Sequence, residues 1–73
     1  MPSRVPTLAD RLARCLRAQR ERRGWSQEKT AAAAGMNLRH YQKLEMGDIA
    51  ATLTTLEKLA DAFGVDAREL LGT

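Results

Sequence analysis

The sequence predicts an all-α fold, a compact bundle of five helices in a single domain over residues 8–73. Apolar residues recur at helical spacing near both ends of the chain, and two short helices joined by a glycine lie between them. No segment alternates apolar and polar residues as a half-buried strand does. Residues 1–7 contain two prolines and no helical pattern, so we expect an N-terminal arm there.

The first helix is predicted over residues 8–23, where apolar side chains occupy positions 8, 12, 15 and 16 and arginines point elsewhere. An arginine-rich amphipathic start is also typical of a transit peptide or a membrane-surface helix. Both alternatives would leave the apolar faces of later helices without a partner. Packing the first helix against those faces builds a core instead.

The middle of the chain predicts two short helices and a turn. Ser26 is placed to cap a helix that begins at Gln27, and Gly35 allows the positive φ of a sharp turn. Asn37 can then cap a third helix, over residues 38–46, which Gly47 ends.

Capping residues also predict where the last two helices begin and end. Thr52 can cap a fourth helix, and Gly64 is placed to end it. Asp66 and Glu69 then form a D-x-x-E capping box, which predicts a short fifth helix.

Composition narrows the class of protein. The 73 residues allow one small domain, and the single cysteine, Cys15, cannot form an internal disulfide, which favours a reducing cytoplasm. No apolar run is long enough to span a membrane. Residues 1–47 carry ten Lys or Arg against four acids, whereas residues 48–73 carry two against five. The basic part contains the paired short helices, as a phosphate-facing surface would.

Several spaced motifs carry a family resemblance: S-Q-E at 26–28, A-G at 34–35, L-E-x-G at 44–47 and T-L-x-x-L-A-x-x-F-G-V at 55–65. In these the chain resembles the helix-turn-helix family of phage repressors, Cro and bacterial XRE-type regulators. The resemblance implies a lambda-repressor-like domain whose second and third helices form the helix-turn-helix. It also implies a sequence-specific regulator of transcription, a repressor or autoregulator, that reads double-stranded DNA in the major groove.

Base contacts are expected from the outward side of the third helix. By match to the family pattern these residues are Leu38, Arg39, Gln42 and Lys43. Arginine can donate two hydrogen bonds to guanine, glutamine can pair with adenine, and leucine can meet a thymine methyl group. For each of them the alternative is a solvated helix face.

Phosphate contacts are expected where helices begin, because a helix N-terminus offers unpaired N–H groups and a positive dipole end. The residues predicted for this role are Ser26, Gln27, Asn37, His40 and Arg20. Ser26 alternatively serves only as a cap, and His40 is alternatively a plain exposed side chain. The family pattern also pairs Arg20 with Glu45 in a partly buried salt bridge that orients the third helix.

The remaining function classes are less well supported. A chain of this size has too few residues to build a substrate pocket. We therefore expect that the protein is not an enzyme and that it binds no cofactor, metal ion or small-molecule ligand. The expected partners are a double-stranded operator DNA and a second copy of the chain. The expected location is the cytoplasm, in association with a bacterial or phage nucleoid. The competing interpretation is an antitoxin or adaptor module whose helices mainly bind a protein.

Overall fold

The computed structural model describes residues 6–72, which form four α-helices and a terminal 3₁₀ helix without any strand. The α-helices are α1 (Leu8–Arg22), α2 (Gln27–Ala33), α3 (Leu38–Met46) and α4 (Leu53–Phe63), and the 3₁₀ helix is Ala67–Leu70. α1 packs against α3 and the 3₁₀ helix, while α2 contacts α3 and α4. Within the described residues, no helix has the length and apolar character needed to cross a membrane.

Short-range hydrogen bonds set the helix ends where the sequence predicts them. The side chains of Ser26, Asn37 and Thr52 each accept a backbone N–H in the first turn of α2, α3 and α4. Gly47 and Gly64 end α3 and α4 with φ of 76° and 70°, in the left-handed region that favours glycine. The predicted bounds of α3 and its caps are therefore confirmed.

The predicted fifth α-helix was wrong in type, although its capping box is present. Asp66 and Glu69 form the reciprocal bonds expected of them, but the segment between is a single 3₁₀ turn. Its backbone N–H groups reach only three residues back, as from Leu71 to Arg68. The five residues between Asp66 and the positive-φ Gly72 are too few to build the repeated i→i−4 bonds of a regular α-helix.

The N-terminal arm lies largely outside the described residues. Positions 1–5 are not described, and Thr7 forms the N-terminal cap of α1. The Thr7 hydroxyl accepts from the Asp10 N–H, and the Asp10 carboxylate accepts from the Thr7 N–H. The boundary at residue 8 stays a prediction.

The core joins all five elements around fully buried side chains. These include Leu16 of α1, Tyr41 and Leu44 of α3, and Leu59 of α4. Trp25 is half-buried, and its ring stacks on Phe63 at 5.7 Å between centroids. The core therefore fixes the inward face of α3 and leaves its other face to solvent.

A buried ion pair locks α3 against α1. The Arg20 guanidinium donates through Nε and Nη2 to the two carboxylate oxygens of Glu45, and through Nη1 to the Trp25 carbonyl. The side chain of Glu45 is only 4% exposed and that of Arg20 17%. Arg17 adds a second tie, because its guanidinium donates to the Glu45 carbonyl near the end of α3.

Burial and the ion pair shift the pKa values of Glu45 and Tyr41. Desolvation favours a neutral Glu45, but hydrogen bonds from Arg20 and Gln27 outweigh it, so the Glu45 pKa lies below its ordinary value of 4.5. Burial and then the neighbouring Glu45 carboxylate raise the pKa of Tyr41. The Tyr41 hydroxyl is buried and has no well-formed hydrogen bond to any described residue.

Replacing Arg20 by methionine should lower the free energy of unfolding by about 3 to 5 kcal/mol, because a buried Glu45 loses its charged partner. The matched control is Arg22→Met, on the exposed side of the same helix, which should change stability by no more than about 0.5 kcal/mol. Urea unfolding followed by circular dichroism measures both. Equal effects of the two substitutions would contradict a stabilising role for the pair.

The lowered pKa of Glu45 also predicts an acid response. Its ionised form stabilises the fold above pH 4.5, and this contribution is lost as the pH falls through the lower pKa of the folded state. The free energy of unfolding should therefore fall more steeply between pH 5 and 3 in the parent chain than in Glu45→Gln. Glu57→Gln, at an exposed position of α4, should keep the parent slope. Parallel curves for all three chains would refute the assignment.

Candidate DNA interface

α2 and α3 meet across a tight turn built from small residues. Ala31 and Ala34 are buried, at 2% and 5% exposure, so the helices can approach closely. Gly35 adopts φ of 66°, and the N–H of Met36 bonds to the Ala31 carbonyl at 2.9 Å. This turn holds α3 at the surface with its inward residues in the core.

The outward side of α3 carries the four side chains predicted for base contact. Leu38, Arg39, Gln42 and Lys43 line one open depression, together with Asn37, Met46 and Asp48. Arg39 and Lys43 are exposed, whereas Leu38 and Gln42 are half-buried at the edge of the core. The structure therefore brings these four side chains together on one face. Whether each touches a base stays a prediction.

Four of the five residues predicted for phosphate contact lie at the starts of α2 and α3, and the fifth, Arg20, lies in the last turn of α1. The Ser26 hydroxyl accepts from the Lys29 N–H at 3.0 Å, and the Asn37 side chain accepts from Arg39 and His40. Both caps are thus formed, and both residues are exposed. His40 is half-buried in the first turn of α3. Their role toward phosphate stays a prediction.

Arg20 and Gln27 have partners inside the protein. Arginine has five N–H donors, and Arg20 directs donors from all three of its nitrogens at Glu45 and Trp25. These bonds form the expected salt bridge with Glu45. The role of Arg20 toward phosphate stays a prediction. Gln27 donates to Glu45 at 3.1 Å and accepts from Gln42 at 3.2 Å, so it links the ion pair to the outward side of α3.

The sequence prediction missed three residues around this face. Met46 is 68% exposed and follows Lys43 and Gln42 at helical spacing, a signal that would have placed it on the same side. Asp48 lies just beyond α3, and no local pattern marked it. Arg17 lies one turn before Arg20 on α1, and that spacing alone indicated a shared face.

The basic residues are concentrated in the part of the chain that contains α2 and α3. The exposed arginines of α1 (Arg11, Arg14, Arg17 and Arg22) belong to the basic part of the chain, while the acids concentrate after residue 47. Within the described residues, no three metal-ligating side chains lie together. Arg39 and Lys43 give the outward face of α3 hydrogen-bond donors and positive charge, and Asp48 lies at the same depression.

Comparison with known proteins places this geometry in a family. The helix-turn-helix family profile matches residues 16–70. A crystal structure described as a hypothetical transcription factor NHTF from Neisseria is 34% identical, with a TM-score of 0.86. That match covers 97% of this chain and 85% of the other. A comparison with curated proteins found no match.

A second crystal structure is that of the restriction-modification controller protein C.AhdI from Aeromonas hydrophila. It is 32% identical with a TM-score of 0.80, and the match covers 86% of this chain and 94% of the other. The family profile spans both the turn and the packed core described above. The chain therefore belongs to the helix-turn-helix family of DNA-binding transcription regulators.

Proposed function

We propose that this protein is a sequence-specific regulator of transcription that lays α3 in the major groove of an operator. It represses transcription of the genes beside that operator, its own gene among them. The observation that carries the proposal is the outward face of α3, where Arg39, Gln42 and Lys43 stand beside Leu38 on one surface. Each of these side chains suits the edge of a particular base, and a guanine-reading arginine discriminates by about 1 to 3 kcal/mol.

Phosphate binding would position that face. We assign this role to Ser26, Asn37 and His40 and to the unpaired N–H groups that open α2 and α3. Gln27 lies beside them, although its side chain already bonds to Glu45 and Gln42. Arg39 and Lys43 would add positive charge on the face itself, so binding should weaken as the salt concentration rises.

We further propose that the protein acts as a homodimer on a site with two-fold symmetry. One module covers only a few base pairs, so useful specificity requires two half-sites about one helical turn apart. The surface proposed for self-association is an apolar groove between the start of α1, the start of α4 and Leu71. Its rim residues Leu8 and Leu53 are 65% and 78% exposed, so each copy offers both a groove and the side chains to fill one.

Sequence selection from a random DNA duplex pool tests the proposed reading. The parent chain should enrich a palindrome whose half-sites contain a preferred guanine, and Arg39→Ala should relax that preference by about five- to hundredfold. Arg68→Ala removes an exposed arginine of the 3₁₀ helix, outside α2 and α3. This control should leave the selected sequence unchanged. Weak binding that is alike for all sequences would favour instead an antitoxin or adaptor that binds protein.

The proposed dimer predicts a second result. Leu53→Asp places a charge in the apolar groove and should shift the protein from dimer to monomer in sedimentation equilibrium, because the buried charge has no partner. Thr54→Asp, at the exposed neighbouring position, is the matched control and should leave the dimer intact. A dimer that survives Leu53→Asp would place the interface elsewhere.

A further inference from the structure

The described residues expose three large apolar side chains, and two of them border the groove assigned above to self-association. These two are Leu8 and Leu53. The third, Met46, is 68% exposed and lines the depression on the outward face of α3. A side chain so exposed gains little from the protein core, so its use depends on what covers that depression.

The depression extends from the first turn of α3 to the last. Leu38 lines it in the first turn and Met46 in the last. The side chains between them are those of Arg39, Gln42 and Lys43. An α-helix rises about 1.5 Å per residue, so the distance along the helix from Leu38 to Met46 is about 12 Å. A DNA groove that covers the four side chains proposed to read bases therefore also covers Met46.

The chemistry at the Met46 end of the depression suits a base edge better than a phosphate. Asp48 lines the depression there and is exposed, and its N–H bonds to the Lys43 carbonyl at 3.1 Å, which holds it against the last turn of α3. The carboxylate partly offsets the charge of Lys43, and the Met46 thioether offers a phosphate no hydrogen-bond donor. An apolar side chain gains instead by covering an apolar group of the DNA.

The thymine methyl group is the apolar group that bases present in the major groove. Methionine is suited to it, because a flexible side chain with a polarisable sulfur adapts to irregular apolar surfaces. The length of α3 also predicts where the thymine lies. Met46 follows Arg39 at a distance of about 10 Å along the helix, which corresponds to about three base pairs of DNA.

We propose that Met46 reads a thymine methyl group in each half-site, about three base pairs from the guanine read by Arg39. The inference rests on the proposed function, because it requires α3 to lie in the major groove. It assigns a base contact to the last turn of α3, outside the four residues expected from the sequence. That contact contributes specificity through apolar burial, without a hydrogen bond.

Two other roles for Met46 predict different results. If Met46 lay against the sugar–phosphate backbone, its loss would weaken binding to every sequence alike and leave base preference intact. If it belonged to a contact between two copies of the chain, its loss would shift the dimer in sedimentation equilibrium. Only a methyl contact makes the effect of Met46 depend on a single carbon atom of the DNA.

The experiment replaces the thymines of one selected half-site, one at a time, by deoxyuridine, which lacks only the methyl group. Binding of each duplex is measured with the parent chain, Met46→Ala and Leu38→Ala. In the parent chain, uracil about three base pairs from the guanine identified by Arg39→Ala should weaken binding about three- to fivefold, as expected for one buried methyl group. Met46→Ala should abolish that effect, because both changes remove the same contact. Leu38→Ala, at the other end of the depression, should keep it.

A uracil effect at this position that survives Met46→Ala would overturn the proposal and leave the proposed function standing. The same holds for a half-site without a thymine there, or for a parent chain that is indifferent to uracil there. A parent chain that selects no sequence would overturn both proposals.

The variant itself should remain folded. Met46→Ala should keep the circular dichroism and the urea midpoint of the parent chain, because alanine favours a helix and the side chain that it replaces is exposed. A uracil effect that disappears in a folded variant is then a lost contact with the methyl group.

Discussion

The buried pair of Arg20 and Glu45 is the interaction on which the rest of this structure depends. α3 has only nine residues, too short to hold its place by backbone hydrogen bonding alone. A bidentate guanidinium–carboxylate contact fixes distance and angle together, and Arg17 ties the same residue through its carbonyl. Because desolvation offsets much of the attraction, the pair contributes more to the orientation of α3 than to net stability.

Each side of α3 has a separate task. Tyr41 and Leu44 enter the core, Glu45 meets α1, and the remaining side chains face outward or toward α2. Such a division is possible because neighbouring positions on a helix differ by about 100° in direction. The outward surface of α3, which we propose reads DNA, is thus positioned by groups on the opposite side of the helix, and its geometry depends on how firmly that inward side is packed.

The polar groups beneath this surface form a connected set. Gln27 joins the carboxylate of Glu45 to the amide of Gln42, so a charge in the core is linked to an uncharged side chain at the surface. The low dielectric of the protein interior strengthens these hydrogen bonds, and a buried polar group without a partner destabilises the fold there. In a chain of 73 residues with a modest core, these polar groups occupy space that apolar packing would otherwise use.

The sequence by itself determined the helices, their caps and the family. Caps and turns depend on atoms within about four residues, so Ser26, Asn37 and Gly47 could be interpreted locally. The four residues expected on the outward side of α3 and the partner of Arg20 both followed from family resemblance. Only the tertiary structure decided that Gln27 bonds to Gln42, fifteen residues away, and that the last helix closes as a 3₁₀ turn. Contacts between side chains on different helices depend on how those helices pack, and no local rule specifies that geometry.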